Sequence, residues 1–590
     1  MQKYLISILM LILGLSVAEA QTYKPISKLS VVRGKVDTAT TRSHVIVGLA
    51  PQGSQVFVNK EAVKVYKTGS FGYELRLNSG NNRVEIECIQ GEERQKISLD
   101  IFYRAQPKPL PPADWKPEQL ALFPAGKQVW IMEGEPLQIS VVSKKGSQLS
   151  WYQGEPLHEM ALSPSEQSGI GKDRSLYQGY RLMHREDMAY ANSPQLMIAD
   201  SLADIAKAYS IGEVRVLLPE RPLTVRSKAG AFLNESWGGD RLGGSKINFL
   251  DSGICMQVIG KADGLFKVRL APHYTAYIPE AVVELLPEGN YPPKSLSGSW
   301  TVDRSGKFDV LSIGLPARHP YTLYQEVEPN RLVVDLYGVS CNTNWITNTL
   351  RGKEIERFDI RQIAPEVMRV SIDLKDDTAW GFKVEYVGTS LRISIKHKPD
   401  LSKLTQGDWA GLTFAVDAGH GGMESRGAVS PAGYMEKDQN FAMARMLKEM
   451  LEKRGAKVVL TRPQDKDVKM DDRKAVVRKA EADFLVSIHC NAGGNPLRTG
   501  GTSTYYKYVG YQGLSTAILP RLLELPVQNF GNIGHFNFSL NGVTDCPSVL
   551  VETLFMSSLE DEERVVDPVF QRKMMEKVML GIEDFLNANR

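Results

Sequence analysis

Four side chains in the last third of the chain are of the types that bind a metal ion and move protons. His420 and His489 each follow an apolar run with strand composition, and the glycines around His420 permit a sharp turn that leaves its imidazole accessible. Glu436 opens a predicted helix, and Glu552 lies inside a predicted apolar strand. The long, uneven separations between the four exclude a finger-type structural site, in which ligands come in close pairs. They fit a catalytic site assembled from loops at one end of a sheet.

Two histidines and one carboxylate are a common ligand set for catalytic zinc, which keeps a coordination position for water. Zinc lowers the pKa of that water to about 7. Hydrolysis of an amide also needs a carboxylate that accepts the water's proton and hands it to the departing amine. Glu552 is the candidate, because a carboxylate is costly inside a strand as apolar as residues 549–555. The alternative is that Glu552 pairs with a buried arginine or lysine.

Other polar residues in this region leave alternatives open. Glu424 or Asp438 could replace Glu436 as the third ligand. His535 lies in a turn-rich loop, and we interpret it as a pocket-wall or surface residue rather than a ligand. Two neighbours of the histidines either orient the ligands or satisfy turn backbone: Asp417 and Asn491.

Strand-like and helical runs alternate from residue 404 onward, which predicts an α/β domain over residues 404–590. Alternation of this kind is typical of a mostly parallel sheet with helices on both faces. His420 then lies at the carboxyl end of a strand, where ligands usually bind in an open sheet. The predicted elements are strands at residues 412–416, 457–461, 483–489 and 548–553, and helices at residues 438–453, 470–481, 513–524 and 567–586.

Four motifs in this domain match, in order and spacing, those of zinc-dependent N-acetylmuramoyl-L-alanine amidases of the amidase-3 type. They are VDAGHGG at residues 416–422, EKD at residues 436–438, SIHCNA at residues 487–492 and PSVLVETLF at residues 547–555. The resemblance implies zinc (Zn2+) as the cofactor, His420, Glu436 and His489 as its ligands, and Glu552 as the catalytic acid/base. It implies peptidoglycan as the substrate, cut at the amide between N-acetylmuramic acid and L-alanine, for cell-wall remodelling or daughter-cell separation.

Two departures from the usual pattern of that family affect the site. The loop after Gly422 reads Met-Glu-Ser-Arg-Gly rather than Lys-Asp-Pro-Gly, so the local backbone could differ. The stretch between His489 and Glu552 is nearly filled by a loop, one helix and a turn. The long helical insert that plugs the pocket in some members is therefore not expected. Gating would instead come from the β modules or from an envelope activator protein.

Two other functions stay open beside the amidase. A carboxypeptidase or endopeptidase that cuts a peptide bond of the stem would use the same metal chemistry. A wall-binding scaffold or amidase activator with an inactive last domain would be expected to lack at least one of the four groups, and none is missing.

Length, charge and the first residues limit the class of protein. The chain has 590 residues, which suggests about four domains. A net charge of +3 without a basic run gives little support for nucleic-acid binding. Five scattered cysteines without a Cys-x-x-Cys spacing argue against a disulfide framework. Residues 1–20 read as a secretory signal peptide, so we expect export to the periplasm or cell envelope and no transmembrane segment in the mature chain.

Before residue 404 the sequence predicts several all-β modules, because short alternating strands are separated by turn signals. Residues 330–338 resemble part of the envelope-targeting AMIN module, and Trp237 or Tyr274 either lines a groove of an SH3-like barrel or fills its core. The expected divisions are the signal peptide (1–20), an immunoglobulin-like β-sandwich (21–104), a proline-rich linker (105–117), a second β-rich, immunoglobulin-like module with a short helix at 200–208 (118–215), an SH3-like barrel (216–290), an AMIN-like β module (291–400) and the zinc amidase domain (404–590).

Overall fold

The computed structural model describes residues 23–104, 118–123, 128–151, 155–187, 199–200, 213–237, 246–342, 352–405 and 407–590. Within these residues several β modules precede a C-terminal α/β domain with a mostly parallel sheet of six strands, which confirms the predicted fold class. The predicted signal peptide and proline-rich linker lie outside the described residues, as does most of the short helix expected at 200–208. In the described part of the chain, no helix combines the length and the apolar composition that crossing a membrane requires.

The sheet of the C-terminal domain brings four strand ends to one edge. Its strands are β1 (Thr413–Ala418), β2 (Lys457–Leu460), β3 (Phe484–Asn491), β4 (Thr502–Tyr505), β5 (Asn529–Ile533) and β6 (Ser548–Phe555). They are ordered β2-β1-β3-β6-β4-β5, and β2, β1, β3 and β6 run parallel to one another. β4 runs antiparallel to β6 and parallel to β5. The carboxyl ends of β1 and β3 therefore meet at the same edge, where His420 follows β1 and His489 lies in the last part of β3.

Helices cover both faces of this sheet. They are α1 (Glu436–Lys453), α2 (Met470–Lys479), α3 (Gln512–Leu522), α4 (Leu559–Val565) and α5 (Pro568–Ala588). Successive side chains of a strand point to opposite faces. Accordingly, Phe414 and Val416 of β1 share a core with α1, α3 and α5, whereas Ala415 shares a core with Val477 of α2.

Three elements of this domain did not follow from the apolar pattern. β4 reads Thr-Ser-Thr-Tyr, and its two threonines and its serine are fully buried although none of them is apolar. β5 is a largely exposed edge strand that contains Gly531 at a φ of 124°, so no apolar alternation marks it. α4 is short, but Ser558 caps its first turn by accepting a hydrogen bond from the backbone N–H of Asp561, and this Ser-x-x-Asp signal is visible in the sequence.

The first β module packs a three-stranded sheet against a five-stranded sheet. Ile46 and Phe71 from one sheet and Val56 and Ile86 from the other share its core. The strands of this module are Ser30–Arg33, Thr38–Ala39, Ser43–Leu49, Gln55–Val58, Glu61–Val63, Ser70–Arg76, Gly80–Gln90 and Glu93–Tyr103.

One nine-stranded sheet extends across the expected boundary at residue 215. Strand Gln128–Met132 pairs with Glu213–Leu217 on one side and with Cys255–Ala262 on the other. Such pairings join segments far apart in the sequence, so composition along the chain does not reveal them. The other strands of this sheet are Leu223–Ser227, Phe232–Asn234, Lys246–Phe249, Leu265–Ala271, Tyr274–Pro279 and Val283–Leu285.

The other described strands between residues 118 and 200 form a further four-stranded sheet and a three-stranded sheet. Trp237 lies 4.6 Å from Tyr277 between ring centroids and lines a cavity of about 800 Å³ together with Trp130. Tyr274 packs against Tyr337 of the following module at 5.5 Å. The other elements are strands Glu118–Phe123, Pro136–Lys144, Leu149–Trp151, Glu155–Pro156, His158–Glu159, Arg174–Leu182 and Ala199–Asp200, helix Pro164–Ile170, and the short 3-10 turns Arg185–Asp187 and Glu280–Val282.

The last β module consists of two four-stranded sheets and packs directly on the catalytic domain. Its core is continuous with Tyr508 and Tyr511, which belong to the loop between β4 and α3. The strands of the two sheets are Trp300–Ser305, Phe308–Ile313, Phe382–Val387 and Ser390–Lys396, and Tyr321–Val327, Asn330–Tyr337, Ile355–Ala364 and Val367–Leu374, beside a small pair of Ser295–Leu296 with Val339–Ser340.

A buried ion pair joins this module to the catalytic domain. Lys396 Nζ lies 3.0 Å from a carboxylate oxygen of Asp483 and donates a hydrogen bond to the carbonyl oxygen of Ala482 at 2.5 Å. The side chains of Lys396 and Asp483 are 2% and 5% exposed. Asp483 also accepts a hydrogen bond from the backbone N–H of Thr413 at 2.9 Å, so the pair touches the first residue of β1.

We predict that Lys396→Ala destabilises the full chain by about 3 kcal/mol, because it leaves the buried carboxylate of Asp483 without its cation. Urea unfolding followed by tryptophan fluorescence would show the loss as a lower midpoint. The matched control is Lys398→Ala, since Lys398 pairs with Asp376 where both side chains are more than a quarter exposed, and we expect a cost of at most about 1 kcal/mol. Equal effects of the two substitutions would contradict the assignment.

Candidate metal centre

The turn after β1 holds His420 in a backbone conformation that few side chains adopt. Its φ is +61°, and Gly421 follows at +138°. Positive φ is uncommon for residues other than glycine, so surrounding contacts must hold it. Gly419, just before it, leaves room for the second histidine, because a Cβ atom at Gly419 would lie 2.3 Å from the ring of His489.

Two buried arginines hold this turn by donating hydrogen bonds to its carbonyl oxygens. Arg473 Nη1 donates a hydrogen bond to the carbonyl oxygen of Ala418 at 2.8 Å, and its Nη2 donates to the carbonyl oxygen of His420 at 2.5 Å. Arg462 Nε donates to the same Ala418 carbonyl at 2.8 Å. A carboxylate oxygen of Asp417 lies 2.8 Å from Arg473 Nη1, so Asp417 balances the positive charge of this arginine. No role at this site was predicted for either arginine from the sequence.

Three candidate ligand atoms converge beside this turn. Glu436 Oε1 lies 3.2 Å from His420 Nε2 and 3.2 Å from His489 Nδ1. One donor atom from each residue lies within 4.8 Å of the other two. The two imidazole rings meet nearly edge to face, with centroids 5.1 Å apart. The structure thus brings together the three residues that the sequence analysis proposed as metal ligands.

The carboxylate of Glu436 is held in place by hydrogen bonds to both of its oxygens. Oε1 accepts from Asn440 Nδ2 at 3.1 Å and from the backbone N–H of Cys490 at 3.2 Å, and Oε2 accepts from the backbone N–H of Ala428 at 2.8 Å. Burial opposes its ionisation, yet the hydrogen bonds to the two histidines keep the pKa of Glu436 well below its ordinary value. The group is therefore a carboxylate anion, as a metal ligand must be.

Gly427 permits the close approach of Glu436 to this turn. Its φ is +69°, and a Cβ atom there would lie 2.5 Å from Glu436 Oε2 and 2.8 Å from Cδ2 of His420. This glycine ends the Met-Glu-Ser-Arg-Gly loop, so the unusual loop still supplies the small residue at the point of contact. Asp467 accepts backbone hydrogen bonds from Met423 and Ser425 of the loop at 3.2 and 3.1 Å.

The alternative ligands do not join the group. Glu424 lies on the exposed loop where its backbone N–H faces Asp467, and Asp438 pairs with Lys437 at 3.2 Å. His535 lines a separate cavity at the junction with the β modules. Among the described residues, the cluster that could hold a metal ion consists of the three residues above.

The two polar neighbours of the histidines have different roles. Asp417 accepts hydrogen bonds from Thr461 Oγ1, from Ser487 Oγ at 2.7 Å and from Arg473, which ties β1 to β3 and α2. Asn491 Oδ1 accepts a hydrogen bond from the backbone N–H of Ala492 at 2.8 Å, which satisfies the turn after β3. Asp417 therefore joins neighbouring elements through side-chain contacts, whereas Asn491 bonds to turn backbone.

Glu552 lies beside the candidate ligands with one carboxylate oxygen free. β6 pairs with β3 so that Glu552 is aligned with His489, and Oε2 of Glu552 is buried without a hydrogen-bond partner. No lysine or arginine in the described part of the chain forms an ion pair with it, so the buried-pair alternative finds no support there. Burial raises the pKa of Glu552 to about 7, against an opposing effect of His489. Such a group can exchange a proton near neutral pH.

Aromatic side chains form the wall next to His489. The ring of Phe538 is nearly parallel to the imidazole at a centroid distance of 6.3 Å. Tyr505 and Phe536 pack against Phe538 at 5.7 and 4.5 Å. The helix between β4 and β5, α3, packs against α5 in the core rather than beside the ligands. The described residues thus contain no helical plug over the site.

The first β module contacts the segment that leads to Glu436. Glu562 of α4 accepts hydrogen bonds from Ser70 Oγ at 2.7 Å and Thr68 Oγ1 at 3.0 Å through one oxygen. Its other oxygen accepts from the backbone N–H of Ala432 at 2.7 Å. A single buried carboxylate therefore connects the first module to the loop four residues before a candidate ligand.

The chemistry of the converging groups fits a divalent metal such as zinc. Two imidazole nitrogens and one carboxylate oxygen are the donors that zinc takes in hydrolytic sites, and these three leave further positions open. The buried, unpartnered oxygen of Glu552 next to them is a second indication, because a buried polar atom without a partner is costly unless a ligand or water meets it.

Comparisons with known proteins point to the same domain. Residues 415–584 match the family Amidase_3, N-acetylmuramoyl-L-alanine amidase. The N-acetylmuramoyl-L-alanine amidase AmiC of Neisseria meningitidis is 26% identical over 369 residues, covering 48% of this chain and 88% of that protein. The uncharacterized protein YqiI of Bacillus subtilis is 31% identical over 180 residues, covering 30% of this chain and 85% of that protein. Among solved structures, the N-acetylmuramoyl-L-alanine amidase AmiC2 of Nostoc punctiforme is 30% identical with a TM-score of 0.28, covering 30% of this chain and 97% of that chain.

We predict that Gly427→Ala weakens metal binding at least about tenfold, because the added methyl group displaces the carboxylate of Glu436. Metal content after dialysis, measured by atomic emission, reports the change. Gly411→Ala is the matched control, since Gly411 also has a positive φ of +97° but no heavy atom within 4 Å of its Cβ position. Full metal retention in Gly427→Ala would show that this contact does not place Glu436.

Proposed function

This chain belongs to the N-acetylmuramoyl-L-alanine amidase family and is a peptidoglycan hydrolase, and we propose that it works with zinc held by His420, Glu436 and His489. The observation that supports this most directly is the position of Glu436 Oε1, 3.2 Å from a nitrogen of each histidine. The bond that is cut is the amide between N-acetylmuramic acid and L-alanine of the stem peptide.

Glu552 acts in this proposal as the group that moves the proton. When bound, zinc would supply Lewis acidity, which lowers the pKa of water so that hydroxide is available to attack an amide at neutral pH. The free oxygen of Glu552 accepts the proton of the attacking water and then delivers it to the amide nitrogen as the C–N bond breaks. The pKa of about 7 suits both halves of this transfer, because the carboxyl group is then neither strongly acidic nor strongly basic.

The remaining side chains position these groups. Arg462 and Arg473 hold the turn that carries His420, and Asn440 orients the carboxylate of Glu436. The ring of Phe538 lies nearly parallel to the imidazole of His489, at a centroid distance of 6.3 Å. An enzyme that depends on placing several groups to within a fraction of an ångström needs such support.

We also propose that the enzyme is exported and acts in the cell envelope, during cell-wall remodelling or daughter-cell separation. The secretory pattern of residues 1–20 and the peptidoglycan substrate of the family support this location. The β modules, proposed as immunoglobulin-like, SH3-like and AMIN-like, would hold the catalytic domain at the wall. An envelope activator protein is a further candidate partner.

Glu552→Gln tests the acid/base assignment. We predict that it lowers kcat on soluble muropeptides about 10³-fold, because the amide cannot carry the proton, while the metal content stays unchanged. Glu560→Gln is the matched control, because Glu560 forms an ion pair with Arg564 on the surface of α4, and it should leave kcat unchanged. Normal turnover by Glu552→Gln would remove Glu552 from this role.

The digest products separate the amidase from a peptidase that uses the same metal chemistry. We predict that full-chain protein releases intact stem peptides from peptidoglycan, as seen by mass spectrometry. A chelator should abolish the release, and added Zn2+ should restore it. Shortened stems that remain attached to the glycan would instead indicate a carboxypeptidase or endopeptidase.

A further inference from the structure

A second cavity of about 410 Å³ lies where the catalytic domain meets two β modules. The sheet that includes residues 216–290 contributes Lys246, the module of residues 291–400 contributes Tyr324, and the catalytic domain contributes Lys507 and Asn537. Polar and aromatic side chains line this cavity together, and convergent polar groups in a concave pocket are typical of a ligand site. It is distinct from the cluster of His420, Glu436 and His489.

Lys507 is the unusual group in this cavity, because its ammonium is buried without a carboxylate partner. The residue is 8% exposed, and its Nζ donates a hydrogen bond to the carbonyl oxygen of Lys246 at 3.1 Å. No aspartate or glutamate in the described part of the chain lies within ion-pair distance of it. Burial, reinforced by repulsion from Lys246 and Lys474 and opposed by the carboxylate of Glu235, which also lines the cavity, lowers the pKa of Lys507 to about 8. In the described part of the chain two lysines and one carboxylate, Glu235, line the cavity, and Lys507 forms no ion pair, so the cavity favours an anion.

Asn537 provides a second, independent sign of a missing ligand. It lines the same cavity, and both its amide oxygen and its amide nitrogen are buried without a hydrogen-bond partner. Buried side-chain amides are almost always hydrogen-bonded in proteins. A carboxylate would satisfy Lys507 with one oxygen and could accept a hydrogen bond from the amide nitrogen of Asn537 with the other.

The cavity shares structural elements with the metal centre. Asn537 directly precedes Phe538, whose ring stacks on His489. Lys507 follows β4, in which Ser503 pairs with Glu552. A substrate that reaches from the metal centre to this cavity would therefore contact the segment of Asn537 and Phe538 and the segment from β4 to Lys507 at both places.

We propose that this cavity binds a free carboxylate of the stem peptide of peptidoglycan, with Lys507 as the cation and Asn537 as the hydrogen-bond donor. The proposal rests on the proposed function, since the stem peptide is the part of that substrate that carries free carboxylates. The three-part cavity would thereby make substrate affinity depend on the docking of the β modules. It gives those modules a role in recognition beyond holding the enzyme at the wall.

The test compares full-chain wild type with Lys507→Met on two soluble muropeptides, one with free stem carboxylates and one in which they are amidated. For Lys507→Met we expect KM on the free substrate to rise about tenfold, while kcat stays within about twofold and zinc content is unchanged. On the amidated substrate wild type and variant should have the same, high KM. Lys573→Met, an exposed lysine of α5, is the matched control and should match wild type on both substrates.

Asn537→Ala gives a second reading in case the first variant folds poorly, and its KM should rise in the same direction on the free substrate alone. A KM equal to that of wild type in both variants would overturn the carboxylate site. A KM that rises equally on the free and the amidated substrate would also overturn it, since Lys507 would then act through the structure. If the wild type cleaves neither of the two muropeptides, the result would instead count against the proposed function.

Discussion

Glu436 Oε1 lies at hydrogen-bond distance from both histidines. This shared contact requires the rest of the domain to bring three separate segments of the chain together. The three residues belong to a turn after β1, the first residue of α1 and the carboxyl-terminal part of β3. They can meet because β1 and β3 are adjacent and parallel, so that their ends lie at one edge. A shift of one residue in that pairing would turn His489 to the other face of the sheet. The buried Asp417–Arg473 pair, which connects β1 with α2, works against such a shift.

The catalytic domain is also fixed to its neighbours by buried polar contacts. Glu562 connects the first β module with the loop before Glu436, and Lys396 connects the last β module with Asp483, which directly precedes β3. Charged groups in such positions are costly when a partner is lost, so the interfaces favour one arrangement. The β modules therefore contact the catalytic domain in more than one place, and the Lys507 cavity lies at one of these contacts.

The sequence predicted the overall fold class and the amidase function, and both are confirmed. The apolar strands and amphipathic helices of residues 404–590 were found to within a few residues, because their periodicity is strong. β4 and β5 were missed for a physical reason. The buried Thr502, Ser503 and Thr504 give no apolar signal, since it is the pairing with β6 and the neighbouring helix that buries them.

By itself, the sequence identified the candidate side chains for the chemistry, because a histidine or a glutamate is uncommon in such apolar surroundings unless it has a specific role. It also determined that an α/β domain follows several β modules. The tertiary structure alone decided what surrounds those side chains. In the sequence Arg462 and Arg473 are ordinary charged residues, and it is the fold that buries them beside the turn of His420. Gly427 is an ordinary loop glycine in the sequence, and it is the fold that brings Glu436 against it. The unpaired charge of Lys507 likewise arises when three distant segments close around it. Burial and hydrogen-bond pairing depend on contacts between remote parts of the chain, and local composition does not encode those contacts.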